Sequence, residues 1–167
     1  MIPFGALQVY AKQASANEDL SGVGISRQSQ LTSAQKRSFI TQRALASSPL
    51  FFGGELTMIP EEDFALVTHP AMLECLRMGR PAKRIYGRKH IDIRRKNDPQ
   101  NPGSGYLGIF NTHIAPADLS LSPTDLGFSQ QEVPVKLASL WDHASFQFQN
   151  QRLRIQIAPG DVALLKF

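Results

Sequence analysis

The sequence predicts an α/β segment followed by an all-β domain. Over residues 1–79, helical patterns lie on either side of a short apolar run, which is the order of elements in an α/β unit. Over residues 80–167, apolar and polar residues alternate in short runs separated by turn residues, the pattern of an antiparallel β-sandwich. The pattern changes at Gly79, so we expect two domains, 1–79 and 80–167.

The first 31 residues are rich in Ser, Gly, Gln and Asn and have no sustained period, so they are predicted to be loop. A helix is expected to begin at Thr32, because Thr32 and Gln35 can form a capping box. Pro49 ends it, since a proline disfavours the helical conformation of its predecessor. The apolar run from Leu50 to Leu56 predicts a strand buried on both faces, as in a parallel sheet.

Two consecutive helices are predicted between residues 60 and 79. Pro60 followed by Glu61, Glu62 and Asp63 is a helix start, and the dipole of that helix accounts for the three acids. Pro70 begins the next helix, and Gly79 ends it.

Eight short runs after Gly79 are candidate strands, because each alternates between polar and apolar residues or is bounded by turn signals. They are Lys83–Tyr86, Lys89–Arg95, Tyr106–Asn111, Ala117–Leu121, Val133–Trp141, Ser145–Gln149, Arg152–Ala158 and Val162–Phe167. One face of each strand is expected to be buried.

Composition excludes several classes of protein. The chain is 42% hydrophobic, which is enough for a folded core, and its single cysteine, Cys75, excludes an internal disulfide and a Cys-cluster zinc site. No apolar run approaches the ~18 residues of a membrane-spanning helix, so no membrane partner is expected. Met1–Tyr10 lacks a basic leader and is interrupted by Pro3 and Gly5, so it is not interpreted as a signal peptide. No cellular compartment is predicted.

The positive charge is concentrated in one segment. Nine of the eighteen Lys and Arg residues lie between Arg77 and Lys96, where Asp92 alone opposes them. Such a segment is one way to bind nucleic acid. However, Tyr86 is its single aromatic residue for base stacking, and isoleucines alternate with the charges. A solvated strand face is therefore the preferred interpretation, and nucleic acid the less favoured partner.

One further group of residues is a candidate site. Trp141 beside Asp142 and His143 could form a sugar-stacking platform, although a large aromatic at the end of a strand is more often core. The four histidines show no ligand spacing, so no metal site is predicted. Cys75 lies on an apolar helix face and is expected to be a small buried hydrophobe.

Several stretches, in order, resemble the C-terminal end of melibiase-type α-galactosidases, which are retaining glycoside hydrolases. In the first half they are Met1-Ile2-Pro3-Phe4-Gly5, Leu31-Thr32-x-x-Gln35-x-Arg37, Ser48–Leu56 and Phe64–Leu73, the last with His69 where the family usually has Asn. In the second half they are Lys83–Tyr86, Gly105–Asn111, Leu140-Trp141-Asp142 and Ala158–Leu165. The resemblance covers nearly the whole chain, and residues 6–30 are the least similar part.

The resemblance implies the last strand–helix elements of a (β/α)8 barrel followed by an antiparallel β-sandwich. It implies hydrolysis of terminal α-galactosides by double displacement, with no metal or organic cofactor. Met1 matches a methionine that borders the sugar pocket in the family and is the substrate-binding candidate. Glu55 falls at the end of the presumed eighth strand, where a carboxylate that caps the following turn is the preferred interpretation.

The two catalytic aspartates of the family have no counterpart in this sequence. They lie in a Lys-Tyr-Asp-type and an Arg-x-x-x-Asp-type motif, at barrel strands that precede the matched part. Arg94 and Asp98 have the Arg-x-x-x-Asp spacing, but they lie in the sandwich half of the sequence. The match to the second motif is therefore interpreted as a coincidence. No catalytic residue is assigned, and the chain alone is expected to be inactive.

The expected partners follow from the incomplete barrel. They are α-galactoside glycans bound through the missing barrel, and either the upstream barrel segment or a second copy at the open strand edges. The alternative function is a non-catalytic β-domain that binds carbohydrate or nucleic acid.

Overall fold

The protein is described by a computed structural model that covers residues 2–10, 24–54 and 56–167. Most of these residues form three layers: helices, a six-stranded antiparallel sheet and one of the two two-stranded sheets. The helices are α1 (Ser33–Leu45), α2 (Glu61–Thr68) and α3 (Pro70–Arg77). The strands are β1 (Ala6–Tyr10), β2 (Gly24–Gln28), β3 (Lys83–Arg88), β4 (Ile91–Asn97), β5 (Gly105–Asn111), β6 (Ala117–Leu121), β7 (Leu137–Ser139), β8 (Ser145–Phe146), β9 (Leu153–Ile157) and β10 (Val162–Lys166).

The helix starts and ends follow local sequence signals, as predicted. Thr32 caps α1 with a full capping box, in which its hydroxyl accepts from the Gln35 backbone N–H and Gln35 accepts from the Thr32 N–H. Pro60 precedes α2, and Pro70 occupies the first turn of α3. Gly79 follows α3 with a φ of +71°.

The large sheet has the strand order β3-β4-β5-β10-β7-β8. Its central strand β5 is buried on both faces, so the prediction of one buried face for every strand is wrong there. The reason is that Tyr106 and Phe110 contact the helical layer, whereas Leu107 and Ile109 face the small sheet.

The small sheet pairs β6 with β9 and packs against the large sheet as an antiparallel sandwich, which confirms that part of the prediction. Leu153, Ile155 and Ile157 are buried and alternate with exposed residues, as the sequence indicates. Of the run predicted over Val133–Trp141, only Leu137–Ser139 is strand, and of Ser145–Gln149 only Ser145–Phe146.

The prediction that residues 1–31 are loop is wrong for Ala6–Tyr10 and Gly24–Gln28. Strands β1 and β2 form an antiparallel pair in which Ala6 is opposite Gln28 and Tyr10 is opposite Gly24. Strand pairing here joins segments that are distant in sequence, and neither strand shows a sustained alternation of polar and apolar residues from which the pairing could be recognised.

The strand predicted over Leu50–Leu56 is reduced to one parallel bridge, between Ile2 and Phe52. The expected burial on both faces is also wrong, because Phe51 is 67% exposed. Among the described residues, no helix is long and apolar enough to cross a membrane.

Candidate functional site

The segment Ile2–Gly5 runs parallel to residues 50–54, and we call these two segments the rim. The Ile2 N–H donates to Phe51 O at 2.5 Å, and the Gly53 N–H donates to Ile2 O at 3.0 Å. Ile2 and Phe4 are buried in the core formed with α1 and α3, so the rim is anchored to the helical layer.

Gly54 lets the two segments of the rim approach each other closely. A Cβ atom at Gly54 would lie 2.3 Å from Phe4 O and 3.0 Å from Ala6 O. A contact as short as the first does not occur between real atoms of these types, so a larger residue would push the segments apart. The sequence shows Gly53-Gly54 but not which backbone atoms they accommodate.

A buried ion pair supports the rim from below. Lys36 Nζ of α1 lies 2.6 Å from Asp63 Oδ1 of α2, and the Gly5 N–H donates to Asp63 Oδ2 at 3.0 Å. Asp63 is fully buried, so the helix dipole is an incomplete account of it, contrary to the sequence interpretation. Glu61 and Glu62 are exposed, as that interpretation implies. The three residues joined at Asp63 lie far apart in sequence, and no local signal identifies the pair.

The two candidates singled out from the sequence, Met1 and Glu55, lie outside the described residues. The rim therefore consists of backbone groups and apolar side chains, with Asp63 bonded through both carboxylate oxygens. This arrangement can position a chain segment, and we assign it no chemical step.

A second concave site lies beside Trp141. Its volume is about 410 Å³, and its lining includes Arg37, Trp141, Asp142, Gln156 and Asp161. The indole is half-buried, packs on the helical core and donates from Nε1 to Thr41 Oγ1 at 3.1 Å. The expectation that Trp141 packs against the core is confirmed, and its remaining surface lines the pocket.

Arg37 and Asp161, which both line this pocket, form a bidentate ion pair. Arg37 Nε and Nη2 donate to the two carboxylate oxygens of Asp161, at 3.0 and 2.5 Å. These hydrogen bonds raise the pKa of Arg37, with a further contribution from Asp142. The pair fixes α1 against the turn before β10.

His69 caps α3 and contacts the indole of Trp141. Its Nδ1 accepts from the Met72 N–H at 3.4 Å, and the two rings meet edge to face with centroids 5.3 Å apart. Burial, followed by the nearby His143, lowers the pKa of His69. The lowered pKa favours the neutral imidazole, in a cap position where the resembled family usually has Asn.

The basic segment is largely engaged in intramolecular contacts. Arg84 and Arg94 both donate to Asp92, at 2.8 and 2.9 Å. Lys96 is 2% exposed and its Nζ donates to Ala44 O and Ser47 Oγ at the C-terminal end of α1. The interpretation as a solvated strand face is therefore incomplete, since two of its nine cations, Arg95 and Lys96, are buried.

No group of three or more His, Cys, Asp or Glu residues within the described ranges is arranged to hold a metal ion. His90 and His113 stack with centroids 4.4 Å apart, but no third ligand joins them in the part of the chain described.

Cys75 is fully buried, as predicted, and burial raises the pKa of its thiol to about 12.

Comparison of the sequence with protein families and with curated proteins gives no match. Comparison of the fold with solved structures does. A GH27 β-L-arabinopyranosidase from Geobacillus stearothermophilus matches with a TM-score of 0.79 and 24% identity, over 99% of this chain and 35% of that one. A putative α-N-acetylgalactosaminidase from Bacillus halodurans gives 0.80 and 22%, over 99% and 37%. For α-galactosidase I from Mortierella vinacea the values are 0.71 and 19%, over 82% and 36%.

These similarities confirm, at the level of the fold, the resemblance seen in the sequence. The chain has the fold of part of an α-galactosidase-type glycoside hydrolase, including its β-sandwich. It spans about a third of the length of the enzymes it matches.

Proposed function

We propose that this chain is the C-terminal portion of a retaining glycoside hydrolase that acts on terminal α-galactosides or closely related sugars. Residues 1–79 are then the last strand–helix elements of its (β/α)8 barrel, and residues 80–167 its accessory sandwich. The observation that carries the proposal is the extent of the structural match. It covers 99% of this chain, and therefore includes the first half as well as the sandwich.

The order of elements in the first half supports a barrel origin. The segment at Ile2 is followed by α1, the parallel segment at Phe52 by α2 and α3, and the two segments are bridged to each other. Parallel neighbours separated by a helix are the repeating unit of a (β/α)8 barrel. Active sites in that fold lie at the C-terminal ends of the strands, so Gly5 and Gly54 would lie near the sugar pocket.

An exposed apolar surface next to the rim also supports an incomplete barrel. Phe51, Leu56, Met58 and Phe64 are between 52% and 67% exposed. Exposed large apolar side chains that are close together in sequence are one indication of a surface that another segment covers. We assign that role to the barrel segment that precedes the matched part.

The two catalytic aspartate motifs of the resembled family are not found in this sequence. Retaining hydrolysis uses two carboxylates about 5–5.5 Å apart, one as nucleophile and one as acid and base. Asp63 is not a candidate for either role, because both of its carboxylate oxygens already have partners. Lys36 Nζ donates to one of them and the Gly5 N–H donates to the other. The contribution of this chain is therefore to close the barrel and to hold the rim, and the resemblance implies no metal or cofactor.

The experiment compares two proteins: the 167-residue chain alone, and the same chain preceded by the segment encoded in front of its Met1 codon. Hydrolysis of p-nitrophenyl α-galactoside is measured for both. We expect turnover from the longer protein and none from the shorter one. Turnover by the 167-residue chain alone would contradict the assignment of the catalytic carboxylates to another segment.

Carbohydrate binding by the sandwich is a second candidate, supported by the pocket beside Trp141. The pocket combines an aromatic surface with the polar groups of Arg37, Asp142 and Gln156. Trp141 is the single tryptophan of the chain, so its fluorescence reports on this pocket alone. A saturable change with galactose, absent with mannitol at equal concentration, would support binding here, and an unchanged spectrum would reject it.

A further inference from the structure

The basic segment between Arg77 and Lys96 contains charges that neither the rim nor the barrel explains. Several of them have partners: Arg84 and Arg94 share Asp92, and Arg88 lies over the ring of Tyr86 at 5.7 Å. Three others, Arg80, Lys83 and Arg95, line one pocket of about 290 Å³ at the edge of the large sheet.

The pocket has no negative charge of its own. The described residues that line it are Arg80, Pro81, Lys83, Ile85, Arg95, Lys96, Asn97, Pro99 and Gly127. The set contains four cations and no carboxylate. Lys96 has its ammonium bonded at the end of α1, which leaves three cationic side chains for the cavity.

Arg95 is the most constrained of these three residues. Its guanidinium lies between the rings of Phe128 and Phe167, with centroid distances of 4.3 and 5.1 Å, and its side chain is largely buried. Nε donates to Asn97 Oδ1 at 2.7 Å, and Nη1 donates to Gly127 O. Within the described residues it forms no ion pair, and burial lowers its pKa, with Glu132 opposing that effect.

One donor of Arg95 is left for a ligand. Nη2 forms no hydrogen bond with a described residue. Arg80 and Lys83 are exposed at the mouth of the pocket, where their side chains form no ion pair with described residues.

We propose that this pocket binds the phosphate group of a small phosphorylated molecule. A guanidinium held by two hydrogen bonds, flanked by an exposed ammonium and a second guanidinium, matches the several acceptor oxygens of a phosphate dianion. A buried cation without a counterion is costly, so an anion in the pocket would stabilise Arg95 directly. The site is concave and has no free aromatic face, which favours a small molecule over a nucleic-acid strand.

The test is isothermal titration calorimetry of the full chain with inorganic phosphate and with galactose 6-phosphate, at constant ionic strength. We expect saturable one-to-one binding of both. The Arg80→Gln/Lys83→Gln variant should lose affinity by about tenfold or more, because it removes two charge-assisted contacts. The control variant Arg88→Gln/Lys89→Gln removes the same charge from the same segment, outside the pocket, and should bind like the parent.

Three results would overturn the proposal. The first is equal weakening by the two variants, which would indicate a general electrostatic effect. The second is a single-stranded oligonucleotide that binds more tightly than both phosphates, which would indicate a nucleic-acid surface. The third is no shift of the Arg95 Nε–H resonance in the arginine side-chain NMR spectrum on addition of phosphate. A shift of that resonance supports the proposal independently of the variants.

Discussion

Lys36 Nζ and Asp63 Oδ1 are 2.6 Å apart, and both side chains are buried. The pair joins α1 to the first turn of α2, and Asp63 also accepts a hydrogen bond from the backbone of Gly5. Three segments that are distant in sequence thus meet at one carboxylate. Removal of one partner from such a pair leaves a buried charge without compensation.

Asp63→Asn should therefore destabilise the protein strongly. The amide can still accept from the Gly5 N–H, but Lys36 loses its counterion, so we expect a loss of about 3–5 kcal/mol in the free energy of unfolding. Urea denaturation measures the loss.

Glu62→Gln is the matched control for that substitution. Glu62 lies 4.0 Å from the same ammonium but its side chain is 68% exposed. We expect a change below about 1 kcal/mol. Equal effects of the two substitutions would show that the pair does not hold these segments together.

Gly54→Ala should separate the two segments of the rim. The added Cβ would lie 2.3 Å from Phe4 O, and overpacking of this kind costs about 1–3 kcal/mol. The specific readout is hydrogen exchange of the Gly53 amide, which donates to Ile2 O and should exchange faster in the variant.

Gly103→Ala is the control for backbone effects. Gly103 has a φ of +92°, and no atom of the described residues lies within 4 Å of the position that a Cβ would occupy. Alanine there costs about 1 kcal/mol through backbone conformation alone. It should leave exchange of the Gly53 amide unchanged. Unchanged exchange in Gly54→Ala as well would contradict the close approach at the rim.

Stability should fall as the pH decreases below about 6.5, the ordinary histidine pKa. Burial lowers the pKa of His69 in the folded state, so the unfolded chain binds the proton more readily at acidic pH. The contribution of neutral His69 is complete above the unfolded pKa and is lost as the pH falls through and below it.

His69→Asn tests this prediction. Asparagine also caps helices, so the variant keeps an N-cap acceptor and removes the titration. Its unfolding free energy should depend less on pH than that of the parent in a window around the ordinary histidine value of about 6.5. A residual slope is expected from His90, whose pKa is also lowered by desolvation, His113 and Lys89. An identical slope in the parent and His69→Asn would contradict the role of His69.

Cys75 should react with thiol reagents only when the protein unfolds. Its side chain is fully buried, and its pKa of about 12 leaves almost no thiolate at neutral pH. Labelling with iodoacetamide at pH 8, a value about four units below that pKa, should be slow in buffer and fast in concentrated urea. Fast labelling in buffer would show that α3 does not stay packed on the sheet.

The elements that the sequence predicts well are those set by neighbouring residues. The capping box of Thr32 and Gln35, the prolines at the helix starts and the alternation of Leu153, Ile155 and Ile157 each lie within a few residues. Local signals of this kind predict helix ends and exposed faces without reference to tertiary contacts.

The features that the sequence did not reveal depend on distant contacts. Strands β1 and β2 pair across residues that carry no alternating pattern, and the Leu50–Leu56 run has only one bridged neighbour among the described residues. The burial of charged residues also depends on distant contacts. Arg95 and Lys96 are adjacent in sequence but lie on opposite faces of β4. Alternation shows that their environments differ, but not that both are buried.

The central claim is that a larger enzyme contains this chain as its C-terminal portion. The most direct test is to read the coding sequence immediately upstream of the Met1 codon in all frames. We predict further strand–helix repeats that carry a Lys-Tyr-Asp-type motif and the second aspartate motif of melibiase-type α-galactosidases. An upstream region that encodes no such repeats would contradict the claim.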